Sequence, residues 1–196
     1  MPGKQYAGED HAKIYSSYRR DTPTEVIEKI ISFLKEKLAQ PLDTAVDAGC
    51  GNGQGTMLLA PFFKRVHGCD ISEAQIKQAK ATRSLPNITY VVSPAERLPF
   101  EDGSVQLLTA ATALHWFDLD IFLPEARRVL CVNGVMAVYL YLSMKPLFGD
   151  QQKDAQFDEI FQEYSETEKK YSMKSKVKLL TDEYKDITFP FEEVVR

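Results

Sequence analysis

A run of glycines near residue 50 is the feature of this sequence with the strongest chemical implication. Gly49, Gly51, Gly53 and Gly55 alternate directly after the short apolar stretch Thr44–Asp47. Glycine lets a backbone turn sharply and approach a ligand without a Cβ in the way. The first N–H groups of a following helix are free to bind a carboxylate or a phosphate. The run therefore predicts a cofactor-binding turn at the carboxyl edge of a parallel sheet.

The spacing of these glycines separates two classes of cofactor. The dinucleotide fingerprint has glycines in the pattern GxGxxG. Counted from Gly49, the sixth position is Gln54, and counted from Gly51 it is Thr56. Neither frame fits, so the spacing disfavours a nicotinamide cofactor. A glycine-rich turn without any ligand is the structural alternative.

An acidic residue follows the glycines at a distance that suits a nucleoside. Asp70 ends the next predicted strand, and Ile71 and Ser72 come directly after it. An acid about twenty positions beyond such a turn accepts hydrogen bonds from ribose hydroxyls. The sequence therefore predicts a nucleoside site that includes Asp70 and Ile71. The alternative is a turn residue at the start of the next helix.

The alternating glycines resemble motif I of the class I S-adenosylmethionine (SAM)-dependent methyltransferases, in which an aspartate also stands two residues before the first glycine. The resemblance implies SAM as the cofactor, with its methionine part wrapped by the loop. The residues that it implies there are Asp47, Gly49, Cys50, Gly51 and Gly53. In that family the aspartate anchors the loop and the amino group of the cofactor. Cys50 has no activating partner in the sequence, so we expect it to be structural.

A later stretch extends the resemblance to the adenine side of the site. Ser93–Phe100 is similar to the AExLPF stretch of methyltransferases with small-molecule substrates. Many relatives carry an aspartate at the place of Pro94. The resemblance therefore implies that Ala95 and Glu96 take the position beside the adenine.

The stretch after the fourth predicted strand resembles the acceptor side of the same family. Thr112–Asp118, followed by Glu125–Leu130, is similar to its HWF…EARRVL block. The resemblance implies Thr112 beside the cofactor, and His115 and Trp116 beside the acceptor. An imidazole exchanges protons near neutral pH, so His115 is the candidate catalytic base. The alternative is that His115 and Trp116 pack the loop over the cofactor.

The amino-terminal residues 1–22 are predicted to form a lid. Tyr15, Tyr18 and Arg19 resemble the AxxYxxYRPxYP opening of the family, in which such residues lie near the cofactor and substrate. The PxYP part is absent here, and ordinary helix packing is the alternative. Near the other end, Tyr184–Glu192 is similar to a segment after the fifth strand in the trans-aconitate methyltransferase-like group.

Strand and helix patterns alternate over residues 23–142, the predicted SAM-binding domain. We expect strands at Thr44–Asp47, Arg65–Asp70, Ile88–Val92, Val105–Ala110 and Val135–Leu142, the last preceded by a turn at Asn133–Gly134. We expect helices that begin at a Thr22 cap, at Gln54 (to Phe63), at Ser72 (to about Arg83) and at Asp118 (to Leu130). This order predicts an α/β fold, a Rossmann-like, doubly wound, mostly parallel sheet with helices on both faces.

Residues 143–196 are predicted to be a charged helical cap segment of the same domain. Phe157, Ile160, Phe161 and Tyr164 form an apolar stripe at helical spacing. The family's sheet has seven strands, so the expectation is a shortened chain without the last strands. Its fifth strand would then be a sheet edge, which the stripe would partly cover.

Composition restricts the cellular context and the partners. The chain has 196 residues, a net charge of −4, three cysteines and three histidines. A net negative charge disfavours a nucleic-acid partner, which needs a basic face. The sequence has no apolar run long enough for a membrane span, no secretory signal and no metal-ligand spacing. Few cysteines suit a reducing compartment, so we expect a cytoplasmic protein. The oligomeric state is not predicted.

The function predicted from these patterns is SAM-dependent methyl transfer to a small-molecule acceptor such as a carboxylic acid. The first alternative is a SAM-binding or interaction protein without catalysis. The second is an NAD(P)-dependent oxidoreductase, which would share Asp70 but not the glycine spacing.

Overall fold

The computed structural model describes residues 22–38, 41–140, 149–171 and 184–195. The chain divides into two compact units. One comprises Met1–Tyr139 with Phe189–Arg196, and the other comprises Leu140–Thr188.

The first unit is a parallel sheet with helices between its strands. Its elements are α1 (Thr24–Lys37), β1 (Thr44–Ala48), α2 (Gln54–Leu59), β2 (Arg65–Asp70), α3 (Glu73–Thr82), β3 (Ile88–Val92), β4 (Val105–Ala111), α4 (Leu119–Val129) and β5 (Leu130–Tyr139). The strand order is β3-β2-β1-β4-β5, and all four pairings are parallel. The predicted doubly wound α/β fold is thus confirmed. The order reverses between β1 and β4, which is where such sheets bind ligands.

Both faces of the sheet are buried, as double-sided apolar strands require. On one face Ala45 and Leu107 pack with Ile31 of α1 and Leu59 of α2. Successive side chains of a strand point to opposite faces, so Val46 belongs to the other face, and it too is fully buried.

Helix α1 begins differently from the prediction. Thr22 is not its cap, because Pro23 occupies that position in an extended conformation without a side-chain capping bond. Because Pro23 itself has an extended ψ of 134°, the helix begins one residue later than predicted, at Thr24. The apolar stripe of α1 is as predicted, with Ile27, Ile31 and Leu34 buried.

Two other boundaries differ for local reasons. Helix α2 ends at Leu59 rather than Phe63, because Pro61 has no N–H and its ring clashes with a carbonyl one turn earlier. The predicted turn at Asn133–Gly134 is an irregularity inside β5. The register with β4 moves there, and Asn133 has a φ of +63°. Asparagine tolerates that conformation, so the strand bulges instead of ending.

The second unit contains the long helix α5 (Gln151–Tyr171). Asp150 caps it, since its Oδ1 accepts hydrogen bonds from the N–H groups of Gln152 (3.0 Å) and Lys153 (3.2 Å). Phe157 and Phe161 stack with ring centroids 6.0 Å apart, which confirms the helical spacing of the stripe. The side chain of Tyr164 lies outside the described set, and the covering of β5 stays a prediction. None of the helices described is long and apolar enough to cross a membrane.

Candidate functional site

The glycine loop between β1 and α2 adopts a backbone that explains its spacing. Gly49, Gly51 and Gly53 have φ values of +67°, +53° and +86°, in the left-handed region. A side chain there is strained by about 1–2 kcal/mol per residue. A Cβ on Gly53 would also lie 2.8 Å from Cζ of Tyr90. The alternation of glycines thus follows from the alternation of left-handed conformations along the loop.

Gly51 is the most open point of this loop, and Asp70 holds it in place. A Cβ on Gly51 would meet no atom of the described residues within 4 Å. Its N–H donates to Oδ2 of Asp70 (2.8 Å), and the N–H of Ser72 donates to Oδ1 (2.8 Å). A carboxylate offers about four lone-pair positions, so Asp70 can accept two further hydrogen bonds. Burial raises its pKa, and the two backbone hydrogen bonds oppose that rise.

Asp47 has a different environment, although it belongs to the same loop region. It is fully buried at the end of β1. Its Oδ2 accepts from the hydroxyl of Thr56 in α2 (2.8 Å), and its Oδ1 accepts from that of Thr109 in β4 (2.9 Å). Asp47 therefore links α2 and β4 to β1 and fixes the strand end from which the glycine loop starts.

Hydrogen bonds from residues next to the glycine loop stabilise its conformation. The hydroxyl of Tyr90 donates to the carbonyl of Arg83 (2.8 Å), and Nη1 of Arg83 donates to the carbonyl of Asn52 (3.2 Å). Burial raises the pKa of the Cys50 thiol well above its usual value, with the charges of Asp47 and Asp70 adding to the effect. A thiol with a raised pKa is a poor nucleophile, which agrees with a structural role for Cys50.

The end of β4 lies against the same loop. A Cβ on Gly49 would be 2.7 Å from Cβ of Ala113, so this position has no room for a side chain. Thr112 has a φ of +53°, and its N–H donates to the carbonyl of Tyr139 (2.7 Å). His115 and Trp116 follow in a short 3-10 turn, Leu114–Trp116, with ring centroids 5.2 Å apart. The loops after β1, β2 and β4 thus meet at one edge.

Comparison with known proteins agrees with this arrangement. Residues 46–138 match the family described as "Methyltransferase domain". A solved type II methyltransferase structure from Anaeromyxobacter dehalogenans is 33% identical, with a TM-score of 0.70, and the match covers 91% of this chain and 70% of that one. This chain belongs to the SAM-dependent methyltransferase family.

Two curated relatives show how much of their length this chain covers. A protein of Dictyostelium discoideum, named as a methyltransferase, is 35% identical over 190 residues, 93% of this chain and 66% of that protein. A malonyl-[acyl-carrier protein] O-methyltransferase of Dechloromonas aromatica is 30% identical over 135 residues, 65% of this chain and 50% of that protein. The chain therefore spans between half and two thirds of the length of these relatives.

The loop residues fit the cofactor of the family. The open face of Gly51 leaves space for a ligand to approach the backbone, and the free lone pairs of Asp70 suit a ribose diol. The side chain of Ile71 is 59% exposed beside Asp70, which provides apolar surface for a base. When bound, SAM supplies an electrophilic methyl group on its sulfonium.

The predicted adenine residues are placed in a loop that α4 holds. Ala95 is buried, and Oε1 of Glu96 accepts from the N–H of Asp118 at the start of α4 (2.8 Å). One carboxylate oxygen of Glu96 thus stabilises the helix terminus, which the sequence prediction did not anticipate.

A second attachment of this loop involves residues that sequence reasoning treated only as part of a motif. Arg128 donates to the carboxylate of Glu125 through Nε and Nη2, both at 2.8 Å. It also donates to the carbonyls of Leu98 (3.1 Å) and Phe100 (2.8 Å). The N–H of Leu98 donates to Oε1 of Glu125 (2.6 Å). We call Glu125 and Arg128, with the three groups they bind in residues 98–100, the α4 clamp.

The predicted acceptor-side residues lie in the described part of the chain, whereas the predicted lid residues do not. His115 is buried, with 8% of its surface exposed, and Trp116 is half-buried. Both follow Thr112 at the ligand edge. Tyr15, Tyr18 and Arg19, the predicted lid residues, lie outside the described residues.

Proposed function

We propose that this methyltransferase transfers the methyl group of SAM to a small-molecule acceptor of the carboxylic acid class. The observation that carries the cofactor part is the open left-handed Gly51, whose N–H is held by Asp70 at the topological switch point. The acceptor class is supported by the relative from Dechloromonas aromatica, whose name specifies O-methylation of a malonyl group.

The chemistry of the transfer suits the residues present. The enzyme has to align the acceptor with the methyl group and the leaving sulfur, because the sulfonium already activates the methyl. A carboxylate acceptor is ionised at neutral pH and needs no general base. The buried position of His115 is therefore compatible with a packing role, and catalysis of esterification does not depend on it.

The cofactor assignment is tested by a matched pair of glycine variants. Gly51 and Gly149 have φ values of +53° and +69°, and a Cβ on either would meet nothing within 4 Å in the part of the chain that the structure describes. Replacement by alanine therefore costs a similar strain of about 1–2 kcal/mol at both positions. We expect Gly51→Ala to abolish binding of S-adenosylhomocysteine in isothermal titration and Gly149→Ala to preserve it. Equal affinities in the two variants would reject the placement of the cofactor at Gly51.

The same titration separates the competing cofactor. NAD should give no heat of binding with the unmodified chain, whereas S-adenosylhomocysteine should bind. Asp70→Asn should weaken the binding of S-adenosylhomocysteine, since an amide replaces one of the carboxylate oxygens that accept from ribose. NAD binding in place of S-adenosylhomocysteine would favour an oxidoreductase.

The acceptor class is tested by the chemistry of the product. The chain is incubated with methyl-labelled SAM and a panel of dicarboxylic and tricarboxylic acids. A methyl ester releases labelled methanol in mild base, whereas methylated amines and ethers do not. Label that stays bound after base treatment would reject the carboxylic acid class. Cofactor binding without transfer to any of the acids would favour the non-catalytic alternative.

We further propose a cytoplasmic setting, with small molecules rather than nucleic acid or membrane as partners. The support is the net charge of −4 and the three cysteines, which form no disulfide.

A further inference from the structure

Residues 112–117 connect β4 to α4, and we call them the acceptor loop because the family resemblance implies that this segment lies beside the acceptor. The N–H of Trp116 donates to the carbonyl of Ala113 (2.8 Å), and the N–H of Phe117 donates to that of Leu114 (3.1 Å). The acceptor loop is therefore a hydrogen-bonded turn, whose position depends on where its ends are held.

Two neighbouring loops hold the end of the acceptor loop that leads into α4. The ring of Phe117 lies against the glycine loop, since a Cβ on Gly49 would be 3.0 Å from its Cζ. The N–H of Asp118 donates to Oε1 of Glu96, in the loop after β3 (2.8 Å). Asp118 is the N-cap of α4, but its own side chain makes no capping hydrogen bond. Glu96 therefore fixes the point at which the acceptor loop enters α4, and its negative charge suits a helix N-terminus.

The segment that carries Glu96 is itself bound on both sides of this residue. The hydroxyl of Ser93 donates to the carbonyl of Arg97 (2.8 Å), and the N–H of Arg97 donates to the carbonyl of Pro94 (3.2 Å). The α4 clamp then binds residues 98–100 to the same helix that Glu96 reaches. Glu96 is half-buried between these attachments. Its carboxylate is thus directed towards α4 by a segment that is already fixed.

We propose that Glu96 is a positioning residue for methyl transfer, which sets the place of the acceptor loop through Asp118 and makes no contact with the cofactor. This inference rests on the proposed function, because it takes residues 112–117 to face the acceptor. The contribution of the enzyme to the transfer is alignment, and a misplacement of about 1 Å can lower such a rate about a hundredfold. A residue that fixes one end of the loop therefore influences the reaction without touching a reacting atom.

The test uses the only tryptophan of the chain, Trp116, which lies in the acceptor loop. Quenching of its fluorescence by acrylamide, measured well below the melting temperature, reports how closely the loop is held. We expect Glu96→Ala to raise the quenching constant, whereas Glu96→Gln should not, because an amide oxygen still accepts from the N–H of Asp118. Glu101→Ala is the control, since it removes an exposed carboxylate five residues further along with the same change in charge.

Two further measurements separate positioning from other roles. The melting temperature of Glu96→Ala should fall by only about 2–4 °C, as expected for the loss of one capping hydrogen bond in a chain of this size. The affinity for S-adenosylhomocysteine in isothermal titration should be the same for Glu96→Ala, Glu101→Ala and the unmodified chain.

Three results would overturn the proposal. The first is weaker binding of S-adenosylhomocysteine by Glu96→Ala, whatever the fluorescence shows, because Glu96 would then act on the cofactor. The second is a lower melting temperature with unchanged quenching of Trp116, which would indicate a stabilising role alone. The third is a rise in quenching that Glu96→Gln shares. Failure of the proposed function is distinguishable from all three, because the unmodified chain would then not bind S-adenosylhomocysteine, whereas the quenching comparison needs no ligand.

Discussion

The α4 clamp gives the sharpest prediction about stability. Arg128→Met keeps most of the aliphatic side chain but removes the donors to Glu125, Leu98 and Phe100. Removing one partner of a buried ion pair costs about 3–5 kcal/mol, because the other charge stays buried without its partner. The side chains of Arg128 and Glu125 are 33% and 13% exposed, so we take the lower end, about 3 kcal/mol. For a chain of this size that corresponds to a fall of about 6–12 °C in melting temperature.

The matched control for this prediction removes the exposed ion pair that the same arginine makes. Arg128 also pairs with Asp102 at 2.7 Å, but the side chain of Asp102 is 82% exposed. Exposed ion pairs contribute about 0–1 kcal/mol, so Asp102→Asn should change the melting temperature little. Thermal unfolding followed by circular dichroism measures both variants. Equal small shifts for Arg128→Met and Asp102→Asn would refute a stabilising clamp.

The pH dependence of the same difference provides an independent check. Hydrogen bonding to Arg128 lowers the pKa of Glu125. A carboxyl whose pKa is lowered by folding contributes stability above its unfolded pKa and loses it as pH falls through the folded one. The difference in unfolding free energy between the unmodified chain and Arg128→Met should therefore be constant at neutral pH and shrink in acid. A difference that is the same at all pH values would mean that the Glu125 charge is not involved.

Three further predictions concern the loop. Because burial raises the pKa of Asp70, cofactor affinity should fall as the pH is lowered through values at which an ordinary aspartate is still ionised, and Asp70→Asn should remove that dependence. Gly53→Ala should lower the melting temperature by more than its backbone strain of about 1–2 kcal/mol implies, because its Cβ would overlap Tyr90. Cys50 and Cys69, both buried and with raised pKa values, should react with a thiol reagent only after unfolding, and fast modification of the folded chain would contradict this.

The sequence predicted the fold well because its signals were periodic and local. Apolar strands alternating with helices defined the parallel sheet, and the glycine spacing marked the switch point. The wrong boundaries came from single residues whose local backbone preferences overrode the apolar pattern. Pro61 ended α2 early, Pro23 kept Thr22 from capping α1, and Asn133 entered a left-handed conformation without ending β5.

The residues that support the site could not be predicted from the sequence in the same way. Arg83 binds the glycine loop from a position 31 residues after Asn52, and Tyr90, which donates to the carbonyl of Arg83, lies further still along the chain. Glu125 and Arg128 bind a loop 27 to 30 residues before them. A single sequence shows which residue types are present, but the pairing of distant side chains depends on the tertiary fold. Only a family motif marked Glu125 and Arg128, and it did not indicate that they hold the loop to α4.

The two carboxylates at this edge show what the structure adds to a motif. Asp47 is the next-to-last residue of β1 and Asp70 is the last residue of β2, and the sequence assigned both to the cofactor. Asp47 is fully buried and accepts from two hydroxyls of the protein, so it fixes the position of the strand end from which the loop starts. Asp70 accepts one backbone hydrogen bond on each oxygen, and its remaining lone pairs suit the ribose of the proposed cofactor. A loop fixed in advance in this way does not have to be ordered when the ligand binds, which removes an entropic cost from binding. Loss of Asp47 should consequently weaken binding through disorder of the loop, whereas loss of Asp70 removes both the contact and part of the order.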